Sequence, residues 1–195
     1  MPPEGTTAGQ QDGGRCPGCG SVSTSISRTR ALGDHDGALR AIVHALKYDG
    51  RRSIAPALSA LMRQQGRPVL AGADVVVPVP LHWRRQWTRG FNQAALLAEG
   101  LGVPLLHALR RRRATRTQTA LPAEDRQVNV ARAFVVRKLA RVGVKGVCVV
   151  LIDDVRTTGA TLEACAQVLM EAGAREVRAL TAARVATRPR GTPRP

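Results

Sequence analysis

No apolar run in this chain of 195 residues approaches the length of a membrane span, so a helical membrane protein is excluded on sequence grounds. The N-terminus, MPPEGTTAGQQDGGR, lacks the apolar centre of a signal peptide, and a cytoplasmic protein is expected. Acids are scarce too: 14 against 30 basic residues, a formal net charge of +16. Lysine is scarcer still, with only Lys47, Lys138 and Lys145, so the excess is almost all arginine. A coding bias explains arginine over lysine but not so few acids beside it. Such a charge attracts polyanions, either pyrophosphate-bearing metabolites or nucleic acid. Internal repeats are absent, as is any G-x-x-x-x-G-K-[ST] run, which removes the P-loop nucleotide binders. Cysteine is limited to four residues. Cys148 falls in an apolar strand and Cys165 on the buried side of a helix, where both read as inert core. Cys16 and Cys19, in C-P-G-C-G, make half of a zinc ribbon. No second C-x-x-C follows, and of the nearest histidines, His35 and His44, the latter belongs to the next helix. Zn2+ is thereby left short of its four ligands.

What is present is concentrated in Val149–Thr161, VVLIDDVRTTGAT. Val147, Val149, Val150, Leu151 and Ile152 have the β-branched character of a buried parallel strand. Asp153 and Asp154 follow where that strand is expected to end. Thr157, Thr158, Gly159, Ala160 and Thr161 then turn into a helix, with Leu162, Cys165, Ala166 and Leu169 on its apolar face. A small, hydroxyl-rich loop opening a helix suits a phosphate monoester. Unpaired amides and the positive helix end face the anion, the glycine permits close approach, and threonines add donors. Two adjacent acids make sense beside it as acceptors for sugar hydroxyls, or near a divalent cation, one sugar away. The ligand suggested is a ribose 5-phosphate. The segment resembles the thirteen-residue phosphoribosyl pyrophosphate (PRPP) signature of type I phosphoribosyltransferases, with Arg156 in a slot that the pattern leaves variable. The resemblance implies that Asp153 and Asp154 contact the ribose hydroxyls, that the loop binds the 5-phosphate, and that Mg2+ accompanies PRPP.

Along the rest of the chain, Leu39, Ile42, Val43 and Leu46 have helical spacing, resumed at Ile54, Leu58 and Leu61. These predict two short helices joined near Tyr48–Gly50, the second broken at Gly66 and Pro68. Ala73–Val77 reads as a strand whose pairing lapses at Pro78 and Pro80. A helix is expected over Phe91–Leu101 and strands over Val103–Leu109, Ala133–Val136, Val147–Ile152 and Glu176–Ala182. Arg110–Arg132 fits no period. The alternation predicts an α/β fold with a doubly wound, mostly parallel sheet and an N-terminal helical extension, its ligand at the carboxyl ends of the strands. Residues 1–36 read as a poorly ordered N-terminus with a vestigial zinc-ribbon knuckle, 37–186 as the phosphoribosyltransferase-like domain, and 187–195 as a disordered basic tail.

Two further segments carry charge. Trp83, Trp87 and Phe91 interleave with Arg84, Arg85 and Arg89 in PVPLHWRRQWTRGFNQ. Arginines on a loop at a strand's carboxyl end can hold a pyrophosphate and stabilise its departing charge. The same interleaving is a stacking platform for single-stranded nucleic acid, unless Trp87 and Phe91 are the buried edge of a helix. Arg110–Arg113 and Arg116 run without an acid until Glu124. This is a basic loop, with or without a nucleic-acid backbone to track.

Together with HALKYDGR at 44–51 and TRTQTALPAEDRQVNV, these segments resemble the ComF family of phosphoribosyltransferase-like proteins, from about Ala38 to Val185. The resemblance implies that Arg84 and Arg85 sit near the pyrophosphate. It also implies that the segment holding Arg113, Arg116, Thr117 and Gln118 is a lid excluding water from an activated C1′. It implies Mg2+–PRPP as ligand, with phosphoribosyl transfer to an unidentified nucleophilic acceptor and release of pyrophosphate. The alternative it carries is a PRPP-binding protein that handles single-stranded DNA in natural transformation without turnover. Family members usually have two C-x-x-C pairs, where this chain has Cys16 and Cys19 alone.

Overall fold

The computed structural model describes residues 24–48, 51–81, 90–111 and 133–185. Its centre is a four-stranded parallel sheet in the order β1-β6-β5-β2. The strands are β1 (Arg28–Asp34), β2 (Val75–Pro78), β5 (Cys148–Arg156) and β6 (Glu176–Arg184). Two short strands, β3 (Leu109–Arg111) and β4 (Phe134–Val136), pair antiparallel beside it. The helices are α1 (Gly37–Tyr48), α2 (Ala55–Gln65), α3 (Arg67–Leu70), α4 (Gln93–Glu99) and α5 (Ala160–Glu171), with 3-10 turns at Arg52–Ile54 and Lys138–Ala140. Among the described residues no helix is long and apolar enough to cross a membrane.

Alternation along the strands divides the core into two layers. Val77, Val149, Leu151, Val177 and Ala179 face one side and meet Leu162, Cys165 and Leu169 of α5, together with Phe134 and Leu109. Val76, Val150, Ile152 and Leu180 face the other and meet Val43 and Leu46 of α1, Leu58 and Met62 of α2 and Leu97 of α4. Helices thus cover both faces, which is why Cys148–Ile152 reads as an unbroken apolar run: every one of its residues is at most 1% exposed. The expected doubly wound α/β architecture is what forms.

Several boundaries differ from the sequence expectation. Residues 28–34 lie inside the stretch expected to be poorly ordered, yet they form β1, paired with β6 from Arg28↔Arg178 to Asp34↔Arg184. RTRALGD escapes pattern reading because it is an edge strand whose first three residues are exposed. Pairing runs past Pro78, which is still in register with Ile152, and the next amide, Val79 N–H, donates to Ile152 C=O at 2.9 Å. The Val103–Leu109 strand shrinks to one bridge, Val76↔Leu105, and Leu109 starts β3 instead. Helix α4 is shorter than Phe91–Leu101 because Asn92 caps it: its Oδ1 accepts from Ala94 N–H at 3.0 Å. Past Gly66, Pro68 occupies the first turn of α3, where its missing N–H does no harm. The expected stop at Gly50 and the tail 187–195 lie outside the described residues.

Candidate functional site

The main correction at the site concerns β5, which does not end before the acids. It continues through both to Arg156, in register with β6 at Asp153↔Thr181, Val155↔Ala183 and Arg156↔Arg184. Backbone pairing is indifferent to side-chain polarity once the side chains reach the end of the sheet. The two carboxylates therefore leave an extended strand in opposite directions rather than as a forked pair.

Asp154 turns toward α1 and α4 and is 6% exposed. Lys47 Nζ, from the last turn of α1, lies 3.0 Å from its Oδ1. Gln93 Nε2, from the first turn of α4, donates to its Oδ2 at 2.6 Å. Asp153 points toward α5 and is half-buried. Burial pushes its carboxyl up to about 7, helped by the charge of Asp154; the Asp154 N–H, donating to its Oδ1 at 2.9 Å, and Lys47 oppose the rise. Sequence reasoning missed Lys47 and Gln93. The available signals were that Lys47 is one of only three lysines in an arginine-rich chain, and that Gln93 follows directly on a capping Asn.

Beyond Arg156 the chain turns through exposed Thr157 and Thr158 into Gly159 and then α5. Gly159 has φ of 83°, a left-handed conformation that side chains resist, so the turn into the helix requires glycine. Thr158 Oγ1 accepts from Ala160 N–H at 3.4 Å, and Gly159 C=O takes Glu163 N–H at 2.9 Å. Glu163 is drawn aside by Ser25, whose N–H donates to its Oε1. A Cβ on Gly159 would stand 3.4 Å from Arg156 Nε, so a guanidinium packs against the loop. Thr157, Thr158, Gly159, Ala160 and Thr161 thus form a helix-opening turn with a cation beside it, and an anion can be held there by amides, hydroxyls and Arg156.

The remaining expected site residues, Arg84, Arg85, Arg113, Arg116, Thr117, Gln118, Cys16 and Cys19, lie outside the described residues, as do Trp83 and Trp87. Phe91 is not on the buried face of a helix. It precedes α4, half-buried, with the Arg52 guanidinium 4.5 Å from its ring centroid. His44 lies within α1 with its ring against Tyr48, ring centroids 4.7 Å apart. Cys148 and Cys165 are buried, and burial pushes both thiols up, as expected of inert core cysteines.

The acidic pair does not fit a resident Mg2+. Both Asp154 oxygens face donors, one of them a cation, and burial drives Asp153 toward its protonated form. No group of three or more His, Cys, Asp or Glu is placed to hold a metal among the described residues. Mg2+ is content with phosphate oxygens and water, so a magnesium arriving on a pyrophosphate needs little from these carboxylates.

Comparison with known proteins bears on the family of the chain. The phosphoribosyl transferase domain family matches residues 74–195. The DNA utilization protein YhgH of Salmonella typhi is 36% identical over 179 residues, covering 83% of this chain and 74% of that protein. Competence protein F of Haemophilus influenzae is 31% identical over 172 residues, covering 83% and 75% respectively. Among solved structures, the glutamine PRPP amidotransferase from B. subtilis, complexed with ADP and GMP, is 24% identical with a TM-score of 0.47. It covers 71% of this chain and 30% of that one, a fit too loose to transfer detail.

Proposed function

The chain belongs to the phosphoribosyl transferase domain family, in its ComF branch, and on that premise we propose that it binds Mg2+–PRPP in the cytoplasm and transfers the phosphoribosyl group to a nucleophilic acceptor with release of pyrophosphate. The observation that carries this reading is the continuity of β5, the loop and α5. One strand delivers two carboxylates, and the chain then enters a helix at Ala160 through Thr158 and Gly159, a spacing that would set a phosphate apart from the ribose hydroxyls of one ligand. The 5-phosphate would lie on Thr157–Thr161 and Arg156, and the ribose hydroxyls beside Asp153 and Asp154. Arg84, Arg85 and the 113–118 segment would receive the pyrophosphate and cover it.

No side chain in the described site is placed as an obvious general base. Rate enhancement in this reading comes from positioning and from arginines stabilising the leaving group. Competition tests it: ribose 5-phosphate and pyrophosphate should each displace PRPP from the folded protein, because each occupies one half of the site. Failure of both to compete would remove the reading.

A second reading has its own support in the net charge of +16 and in the names of the relatives, a DNA utilization protein and a competence protein. In it, PRPP binds without turnover, and single-stranded DNA tracks the arginine-rich segments. Pyrophosphate release in the presence of PRPP and a panel of nitrogen bases separates the two.

A further inference from the structure

Gln93 is 3% exposed, and its amide has one end engaged and one end bare. Its Nε2 donates to Asp154 Oδ2 at 2.6 Å, whereas Oε1 is buried without any hydrogen-bond partner. The orientation is fixed chemically: a carboxylate oxygen accepts only from the NH2 end, so flipping the amide would set oxygen against oxygen. Leaving a buried carbonyl oxygen without a donor is costly, and the described residues offer Oε1 none. Asp154 is in the opposite position, with Lys47 Nζ at 3.0 Å from Oδ1 and Gln93 on Oδ2. Three segments far apart in sequence, α1, β5 and α4, converge to build this unit. An acceptor beside Asp154 is suited to the O–H of a sugar hydroxyl.

Resting on the PRPP reading above, we infer that Gln93 Oε1 accepts a hydrogen bond from a ribose hydroxyl, and that Asp154 and Lys47 are positioning residues that hold the Gln93 amide for it. Gln93 then determines specificity for a hydroxylated over a deoxygenated pentose. Removing a hydroxyl from the sugar leaves its carbonyl unsatisfied, and such sites reject the analogue that lacks the group.

The test is calorimetric titration of the full chain and of Gln93→Met, which keeps the volume but loses both polar groups. The ligands are PRPP, ribose 5-phosphate and its 2-deoxy and 3-deoxy forms. Wild type should favour ribose 5-phosphate over at least one deoxy form by roughly ten- to hundredfold, and Gln93→Met should bring that ratio close to one. Weaker binding of every sugar phosphate with the ratio retained would assign Gln93 a purely structural role and overturn the inference, as would a variant that binds like wild type. A wild type that binds PRPP but shows no preference overturns it too. A folded wild type that binds no PRPP removes the underlying reading first.

Discussion

Asp153 carries the largest electrostatic consequence of any single residue in the site. Its carboxyl rises from an ordinary 3.8 to about 7 on folding, chiefly through burial. A carboxyl with a raised folded pKa binds its proton more tightly in the native state. Its stabilising contribution is therefore complete below the ordinary value and is lost as pH climbs through about 7. Stability of the ligand-free protein should fall between about pH 4 and pH 8, and Asp153→Asn should flatten that fall, leaving the variant roughly 1–3 kcal/mol more stable than wild type at the upper end. Urea unfolding across this range measures it, and parallel curves for the two proteins would contradict it. At this scale the sequence was informative about which acids matter but not about their difference. Adjacent letters carry no sign that one aspartate meets Lys47 and Gln93 while the other faces α5. Those partners lie 107 and 61 residues away in the chain, and only tertiary packing brings them together.

Among the elements, α4 is the one whose placement the site depends on most, since it presents Gln93 in its first turn. It is held closely to α2. A Cβ on Gly100 would stand 2.5 Å from Ser59 Cβ, and Ser59, fully buried, donates through Oγ to Leu97 C=O at 2.9 Å. Neither backbone can yield easily, so Gly100→Ala should destabilise by roughly 1–3 kcal/mol, read by thermal unfolding. An unchanged midpoint would mean that the two helices are free to part. Elements with strong periodicity, α1, α2, α5 and the buried core of β5, were legible because one face or a whole strand is apolar. The edge strand β1 was not, since its first three residues are exposed and two of them are arginines. Of the antiparallel pair, β4 was legible in Ala133–Val136, whereas β3 was hidden, because only three residues pair and Arg110 and Arg111 carry the strand.

For the whole molecule, fold and charge have separate implications. The parallel sheet with helices on both faces gathers Asp153, Asp154, Lys47, Gln93 and the Thr157–Thr161 loop at one end of the strands, where open α/β sheets bind ligands. The charge of +16 acts over a wider range. If single-stranded DNA is a partner, its affinity should fall steeply with salt, each phosphate contact adding about −0.7 to the slope of log K against log salt. Fluorescence anisotropy with a labelled oligonucleotide measures this; a flat response would dismiss the DNA track while leaving the sugar-phosphate site intact.

The most direct measurement is calorimetric titration of Mg2+–PRPP into wild type and into the Asp153→Asn, Asp154→Asn double variant, both verified as folded. The phosphoribosyl site predicts saturable one-site binding by wild type and a loss of at least about tenfold in the double variant, about 1.4 kcal/mol. Equal affinity in the two proteins, or no binding by wild type, would contradict it.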